Sequence, residues 1–164
     1  MRNCLLGVLV LVAASAIGAC GSDDSPANIA GTYSVNTTNG KSTCSFDWNE
    51  GDTSSGVPVS IVQNGAAITV SVTGLAAAGL VLLVGTADFD GSVEGHAFTA
   101  TAYGKVPRSS GNCTYTVNAT IKGSVSGDTI QGTVTYTPAG NGNPDCAALT
   151  CTAVQQFNGA RPPT

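Results

Sequence analysis

Hydrophobic and polar residues follow two different patterns along this chain. From Leu5 to Ile17 the run is apolar, broken only by Gly7 and Ser15. From residue 29 onward, short runs rich in Val, Thr, Ile and Tyr are separated by Gly, Asn and Asp. β-Branched and aromatic residues favour a pleated sheet, whereas Gly, Asn and Asp favour the turns between strands. The pattern therefore predicts a short apolar segment followed by one all-β domain over residues 29–160.

Nine segments of the second region have strand-like sequence. They span residues 31–36, 43–48, 57–63, 67–73, 80–89, 92–103, 112–123, 129–137 and 151–157. Tight hairpin turns are expected at Asn64-Gly65 and Asp90-Gly91, because these dipeptides accept the positive φ angles that two-residue turns require. The alanines of residues 74–80 favour a helix, but glycines bracket this segment and it is too short to nucleate alone. At most one helical turn is expected there.

Sequential strands joined by short turns predict an antiparallel up-and-down meander of eight or nine strands. Such a meander either closes into a barrel or forms a β-sandwich. A closed barrel is favoured, because closure removes exposed strand edges and short turns leave little room for sandwich crossovers. In addition, Gly31-Thr32-Tyr33 resembles the G-x-W motif that opens the first strand of lipocalin-like and avidin-like barrels, with Tyr33 in place of Trp.

The apolar run at the start has the character of an export signal. It follows the basic Arg2 and contains about a dozen residues, whereas a membrane-spanning helix needs about 20. Its end, Ile17-Gly18-Ala19-Cys20, resembles the lipobox of bacterial lipoproteins. The resemblance implies that residues 1–19 are removed as a signal peptide and that Cys20 is acylated, with palmitate among the acyl chains. An ordinary cleavage site that leaves Cys20 unmodified is the alternative.

The residues after the lipobox bear on where the domain is anchored. Residues 20–28 are expected to be the lipidated cysteine and a short polar tether, stiffened only by Pro26. Asp directly after the cysteine favours inner-membrane retention in Gram-negative lipoproteins, and Gly21 stands there instead. The resemblance therefore implies anchoring to the outer membrane, at its periplasmic or surface face. Residues 161–164 are expected to be a disordered tail.

Charge and cysteine content change this picture in two ways. The chain has six Lys and Arg, of which Arg2 lies in the signal segment, against ten Asp and Glu. This acidic balance argues against a nucleic-acid partner, whose phosphates need a basic face. Four cysteines remain besides Cys4 and Cys20, an even number that indicates two disulfides in an exported protein. They are Cys44, Cys113, Cys146 and Cys151.

Four cysteines allow three pairings. The preferred pairing joins Cys146 to Cys151 in a tight loop and Cys44 to Cys113, which ties an early strand to a late one. Zinc binding is the competing interpretation, but only Cys146 and Cys151 are close in sequence and no second pair or histidine accompanies them. Two disulfides and no metal are therefore expected.

Three residues are candidates for ligand binding. His96, the only histidine, stands two residues after Glu94, a spacing that places both on one face of a strand. A general base or a two-ligand metal site could use this pair, although a surface histidine beside a surface acid is the simpler interpretation. Trp48 offers a stacking face, and Asp47, Glu50 and Asp52 around it could gather a cation or a sugar. Solvated loop acids are the simpler interpretation here as well.

The incomplete motifs of the chain exclude some chemistry. Residues 88–91 resemble the opening of a calcium loop, but the other ligands of the twelve-residue pattern are missing, so a hairpin turn explains them better. No glycine-rich stretch has a phosphate-binding arrangement, and no nucleophile elbow accompanies His96. No catalytic constellation is found, and no cofactor is expected.

The favoured function is a non-catalytic one. The chain is expected to be a membrane-anchored envelope lipoprotein, held through the lipid on Cys20, whose disulfide-stapled β domain is a binding or structural module. Its ligand would be a small hydrophobic molecule or a glycan in the barrel mouth, or its partner another envelope protein. Two alternatives come from other classes: a protease inhibitor that presents the loop 144–151, and a hydrolase that uses His96.

Overall fold

The structure is a computed structural model that describes residues 25–45 and 48–162. The proposed signal segment, the lipidation site Cys20 and Asp47 lie outside the described residues. Nine strands, one α-helix and one 3₁₀ helix form the described part. In chain order they are β1 (Gly31–Ser42), β2 (Thr53–Asn64), β3 (Ala67–Val72), α1 (Gly74–Leu83), β4 (Asp88–Glu94), β5 (Ala97–Ala102), β6 (Arg108–Ser110), β7 (Cys113–Ser126), β8 (Thr129–Gly140), the 3₁₀ helix (Pro144–Ala148) and β9 (Ala153–Ala160).

Eight of these strands close into an antiparallel barrel. Strands β1 to β5 pair in sequence, as do β7 to β9. The β5–β7 and β1–β9 pairings join the two series into a ring, and the short β6 pairs with β7 as an additional strand. The predicted all-β closed barrel is confirmed, and the β-sandwich alternative is wrong. Closure is favoured physically because it pairs the outer strands of the meander with each other.

The barrel has two distinct ends. The turns β2–β3, β4–β5 and β7–β8 lie at one end, which we call the closed end, together with the segment before β1. Ala27 donates its backbone N–H to the Gly95 carbonyl at 2.8 Å, and the Tyr33 hydroxyl donates to the Ile29 carbonyl at 2.9 Å. The other end, which we call the mouth, carries α1, the long loops and both disulfides. One end of the barrel is thus plugged by buried side chains such as Ile29 and Tyr33.

Arg161 seals the closed end from the C-terminal side. Its guanidinium donates to the carbonyls of Ala30 at 3.0 Å and Gly127 at 3.2 Å. It also lies 3.1 Å from the Asp128 carboxylate and 5.5 Å from the centre of the Tyr33 ring. A disordered tail beginning at residue 161 is therefore wrong for Arg161, because these partners hold the side chain on the barrel. Residues 163 and 164 lie outside the described residues.

The connection between β3 and β4 differs from the sequence prediction. Residues 74–83 form the ten-residue helix α1 rather than one helical turn followed by a strand from residue 80. Since β3 and β4 pair directly with each other, the segment between them has no strand partner, and the helical preference of its Ala and Leu residues prevails. The turn of the next hairpin is Gly95-His96 instead of Asp90-Gly91. Gly91 lies within β4, where a Cβ would overlap the Thr99 carbonyl.

The predicted disulfide pairing is wrong, although both disulfides are present. Cys44 is bonded to Cys151, with 4.8 Å between their Cα atoms, and Cys113 to Cys146, with 5.0 Å. Strand register explains both bonds. Ser42 of β1 faces Ala153 of β9, so the cysteines two residues beyond each of them meet. Likewise, β7 begins beside the end of β8, whose chain continues directly into the 3₁₀ helix that carries Cys146.

Candidate ligand-binding cavity

A cavity of about 670 Å³ runs from the mouth into the barrel. Its walls consist of every second side chain of the strands, because successive side chains of a strand point to opposite faces of the sheet. Most of the side chains around it are aliphatic or aromatic. They include Val57, Val59, Ile61, Val70, Phe89, Phe98, Ile121, Ile130 and Phe157. Ligand cavities in proteins commonly measure about 300–1,000 Å³ and are predominantly apolar. Both the volume and the lining therefore suit a small hydrophobic molecule.

Helix α1 forms the cover of this cavity. Its ten residues include no polar side chain. Ala76, Leu80 and Leu83 pack against the barrel core, whereas Leu75 is 94% exposed and Leu82 is 75% exposed. No residue within α1 is buried, but Val84 directly after it is fully buried. The helix is thus anchored mainly at its ends, an arrangement that lets a segment open locally at low free-energy cost.

Backbone and side-chain hydrogen bonds hold the two ends of α1. Before the helix, the Thr73 N–H donates to the Pro58 carbonyl at 3.0 Å. After it, the Lys105 N–H donates to the Val84 carbonyl at 2.6 Å. The Arg108 guanidinium donates to the carbonyl of Leu82, in the last turn, at 3.1 Å. The helix C-terminus carries a partial negative charge, which favours a cation at this position.

A chain of neutral polar groups lies on one wall of the cavity. The Gln155 amide donates to the Asn39 side-chain oxygen at 2.8 Å, and the Tyr136 hydroxyl lies 3.5 Å from the Gln155 oxygen. Burial raises the pKa of Tyr136 to about 12, so this hydroxyl stays neutral at physiological pH. These side chains largely satisfy one another. They provide polarity without charge on the wall formed by β1, β8 and β9.

The structure places Trp48 in the cavity lining. Its indole N–H donates to the Gly40 carbonyl at 2.8 Å, and its ring meets the Tyr136 ring edge-on at 5.7 Å between centroids. The polar edge of the indole is therefore satisfied by the protein, and the ring forms part of the cavity wall. Glu50 and Asp52, which follow Trp48 in the same loop, are exposed and do not line the cavity.

His96 and Glu94 lie at the opposite end of the barrel from Trp48. Glu94 ends β4 and His96 is in the following turn, and both side chains are exposed. His96 is thus a turn residue and not a mid-strand one, although its carbonyl accepts a hydrogen bond from the Val125 N–H at 2.9 Å. The three candidate ligand-binding residues are not brought together. Among the described residues, no group of three His, Cys, Asp or Glu side chains is placed to hold a metal ion.

The structure also describes the segment that resembles a calcium loop and the loop 144–151. Asp90, from the segment that resembles a calcium loop, is an exposed strand residue whose carboxylate accepts a hydrogen bond from the Thr69 hydroxyl at 2.9 Å. The loop 144–151 is joined to the barrel rim at both ends, through Cys146 and Cys151. Within residues 25–45 and 48–162, no helix has the length and hydropathy needed to cross a membrane.

Sequence reasoning missed the charged member of the site. Arg108 is the one charged side chain among the described residues that line the cavity. It lies in β6, a strand of three residues that is too short for a hydrophobic alternation to be recognised. A signal for α1 was present, since residues 74–84 contain no polar side chain and so lack the alternation of a half-buried strand.

Comparison of the chain with known proteins finds no matching family model, no matching curated protein and no matching solved structure.

Proposed function

We propose that this protein is an outer-membrane lipoprotein whose barrel binds a small hydrophobic ligand in the cavity beneath α1. One observation carries the binding part of the proposal: an apolar cavity of about 670 Å³ opens towards a helix that has no buried residue of its own. A fully packed barrel would need no such space, because protein interiors are normally filled to crystal-like density. The two disulfides brace the mouth around the cavity.

The anchoring part of the proposal is supported by the lipobox resemblance. The described chain begins near the closed end, where Ala27 binds the β4–β5 turn. A tether attached there places the mouth and α1 on the side of the barrel that faces away from the anchor. The cavity would then open towards the surrounding compartment and not towards the anchoring leaflet.

Ligand binding can be tested with the full chain reconstituted in phospholipid vesicles. The probe is N-phenyl-1-naphthylamine, an uncharged fluorophore that accepts energy from tryptophan. Phospholipids contain no tryptophan, and Trp48 is the only tryptophan in the chain. Energy transfer therefore reports probe molecules that are bound close to Trp48. Saturable transfer, removed by competing long-chain alcohols, is the expected result.

Two substitutions in β2 separate the cavity from the membrane background. Val59→Phe introduces an aromatic ring into the cavity. Val62→Phe introduces the same ring on the outer face of the barrel, where Val62 is 67% exposed. Binding is expected to be lost in the first variant and kept in the second. Equal transfer in both variants that does not saturate and is not removed by the alcohols would mean that the probe dissolves in the bilayer beside the barrel, and the binding proposal would fail.

The anchoring part has its own test. The intact mass of the protein from its native membrane, measured without reduction, is expected to equal residues 20–164 plus acyl groups, less four hydrogens for two disulfides. A Cys20→Ala variant should lack the acyl mass. An unacylated wild-type protein would overturn the anchor and leave the binding proposal to the fluorescence experiment.

A further inference from the structure

Strand register directs Arg108 to the interior of the barrel. It pairs with Tyr115 of β7. Along β7, Cys113, Val117 and Ala119 are buried at alternate positions, so Tyr115 belongs to the inward-facing set. Residues directly opposite in an antiparallel pair project to the same face of the sheet. Arg108 therefore faces inward, in agreement with its place in the cavity lining.

The protein does not supply a hydrogen-bond partner for every N–H group of Arg108. One terminal nitrogen donates to the Leu82 carbonyl at 3.1 Å, but Nε is buried and has no hydrogen-bond partner. In the described part of the chain, the pair between Arg161 and Asp128 is the one ion pair within 4.0 Å. No carboxylate of the described residues therefore lies within 4.0 Å of the Arg108 guanidinium.

Arg161 shows how the same chain treats an arginine with a structural role. That guanidinium has two carbonyl acceptors and lies over an aromatic ring, and its Nε, which likewise has no hydrogen-bond partner, lies 3.1 Å from the Asp128 carboxylate. Arg108 has one carbonyl acceptor and a wall of apolar side chains. Arg108 as a whole is half-buried, but a buried N–H such as its Nε costs free energy unless something completes its hydrogen bond. This contrast points to a ligand as the missing partner of Arg108.

We infer that the ligand is a single-chain amphiphile with a carboxylate headgroup, and that Arg108 binds this headgroup. The inference rests on the proposed binding function and specifies its ligand class. A planar guanidinium matches the two oxygens of a carboxylate, and charge-assisted hydrogen bonds are stronger than those to a neutral carbonyl. The remainder of the lining is predominantly apolar and suits a hydrocarbon chain. One charged group at the mouth and an apolar interior match a molecule with one polar end.

The same geometry couples headgroup binding to the cover. In the described state Arg108 binds the carbonyl of Leu82 in α1. A ligand carboxylate is a better acceptor than this carbonyl, so it would replace Leu82 as the partner of Arg108 when the ligand enters. The helix would then lose one of its end contacts while the ligand occupies the cavity.

The test compares ligands that differ only in the headgroup. Dodecanoate, dodecanol and dodecyl phosphate are titrated against N-phenyl-1-naphthylamine bound to the full chain in phospholipid vesicles. Dodecanoate is expected to compete about tenfold or more better than dodecanol, the ratio given by a charge-assisted hydrogen bond. Dodecyl phosphate carries about two negative charges at neutral pH, whereas Arg108 is the one charged side chain among the described lining residues, so dodecyl phosphate is expected to compete less well than dodecanoate. A phosphate preference would overturn the carboxylate assignment.

Three variants assign the preference to a residue. Arg108→Gln is expected to remove the preference for dodecanoate while the probe and dodecanol still bind. Arg108→Lys keeps the charge without the planar fork and should retain part of the preference, which covers the case in which the glutamine variant fails to fold. Lys105→Gln removes a neighbouring exposed cation outside the cavity lining and should behave as wild type.

The outcomes separate the two proposals. If the probe and dodecanol bind but dodecanoate has no advantage, the headgroup inference is wrong and the binding proposal stands. The headgroup inference is also wrong if the advantage of dodecanoate survives in Arg108→Gln or is undiminished in Arg108→Lys. If nothing binds the wild-type protein saturably, both proposals fail.

Discussion

The disulfide connectivity predicts two large and unequal losses of stability. The Cys44–Cys151 bond spans a sequence separation of 107 residues, and the Cys113–Cys146 bond spans 33. In the chain-entropy model a crosslink restricts the unfolded chain, and the longer loop is restricted more. Replacing both cysteines of the first bond by serine is expected to lower the free energy of unfolding by about 5 kcal/mol, and of the second by about 4 kcal/mol. Either loss is a large fraction of the total for a domain of this size, about 5–15 kcal/mol.

Equilibrium unfolding in urea without reductant measures both losses. Trp48 fluorescence is a suitable signal, because the contact of its ring with Tyr136 is broken on unfolding. The two double variants serve as controls for each other, since each removes one bond and leaves the other. Wild-type stability in either variant, or a clearly larger loss for the shorter loop, would refute the chain-entropy reasoning for this barrel.

Single substitutions test the connectivity itself. Cys44→Ser should release one thiol, and alkylation followed by peptide mapping is expected to find it at Cys151. A label at Cys113 would instead support the pairing preferred from the sequence. The complementary variant Cys113→Ser should release Cys146.

Three further predictions follow from individual residues. Because burial raises the pKa of Tyr136 to about 12, the folded state holds the phenolic proton more tightly than the unfolded chain, whose pKa is about 10. The resulting stabilisation is complete below about pH 10 and is lost as pH rises towards 12. In Tyr136→Phe, urea unfolding measured between about pH 9 and pH 12 should show no such loss. Gly91→Ala should destabilise the barrel by about 3 kcal/mol or more, since a Cβ there overlaps the Thr99 carbonyl. Gly79→Ala in α1 should stabilise it by about 1 kcal/mol, because a Cβ there meets open space and alanine favours the helix. Calorimetry measures both changes. Val84→Ala should cost about 2 kcal/mol and speed hydrogen exchange of the α1 amides, because it removes the fully buried residue that anchors the helix.

The barrel could be predicted because its signals are local. Alternation along β2 places Val57, Val59 and Ile61 on the buried face, and it is visible in the sequence without any knowledge of the neighbouring strands. The turn at Asn64-Gly65 is equally local, and it joins β2 to β3 as expected. Local patterns failed at residues 80–89, where the apolar run of residues 80–84 is compatible with a strand or a helix.

The candidate site was less predictable because its members are distant in sequence. Trp48 could be selected as a lone aromatic residue, and it lines the cavity. Arg108 could not be selected, since its inward direction follows only from its pairing with Tyr115. His96 attracted attention as the only histidine, but its turn lies at the closed end, away from the cavity.

The sequence by itself determined the class of the fold, the presence of two disulfides and the expectation of an exported, lipid-anchored chain, because strand alternation, turn dipeptides and the lipobox resemblance are all contained in short segments. Only the tertiary structure decided which cysteines pair, where α1 lies and which charged side chain faces the cavity. Each of these depends on strand pairing and register, and the Cys44–Cys151 bond depends in addition on closure of β1 against β9, which brings together residues more than 100 positions apart. Such long-range contacts form when the whole barrel closes, and no single segment of the chain encodes them.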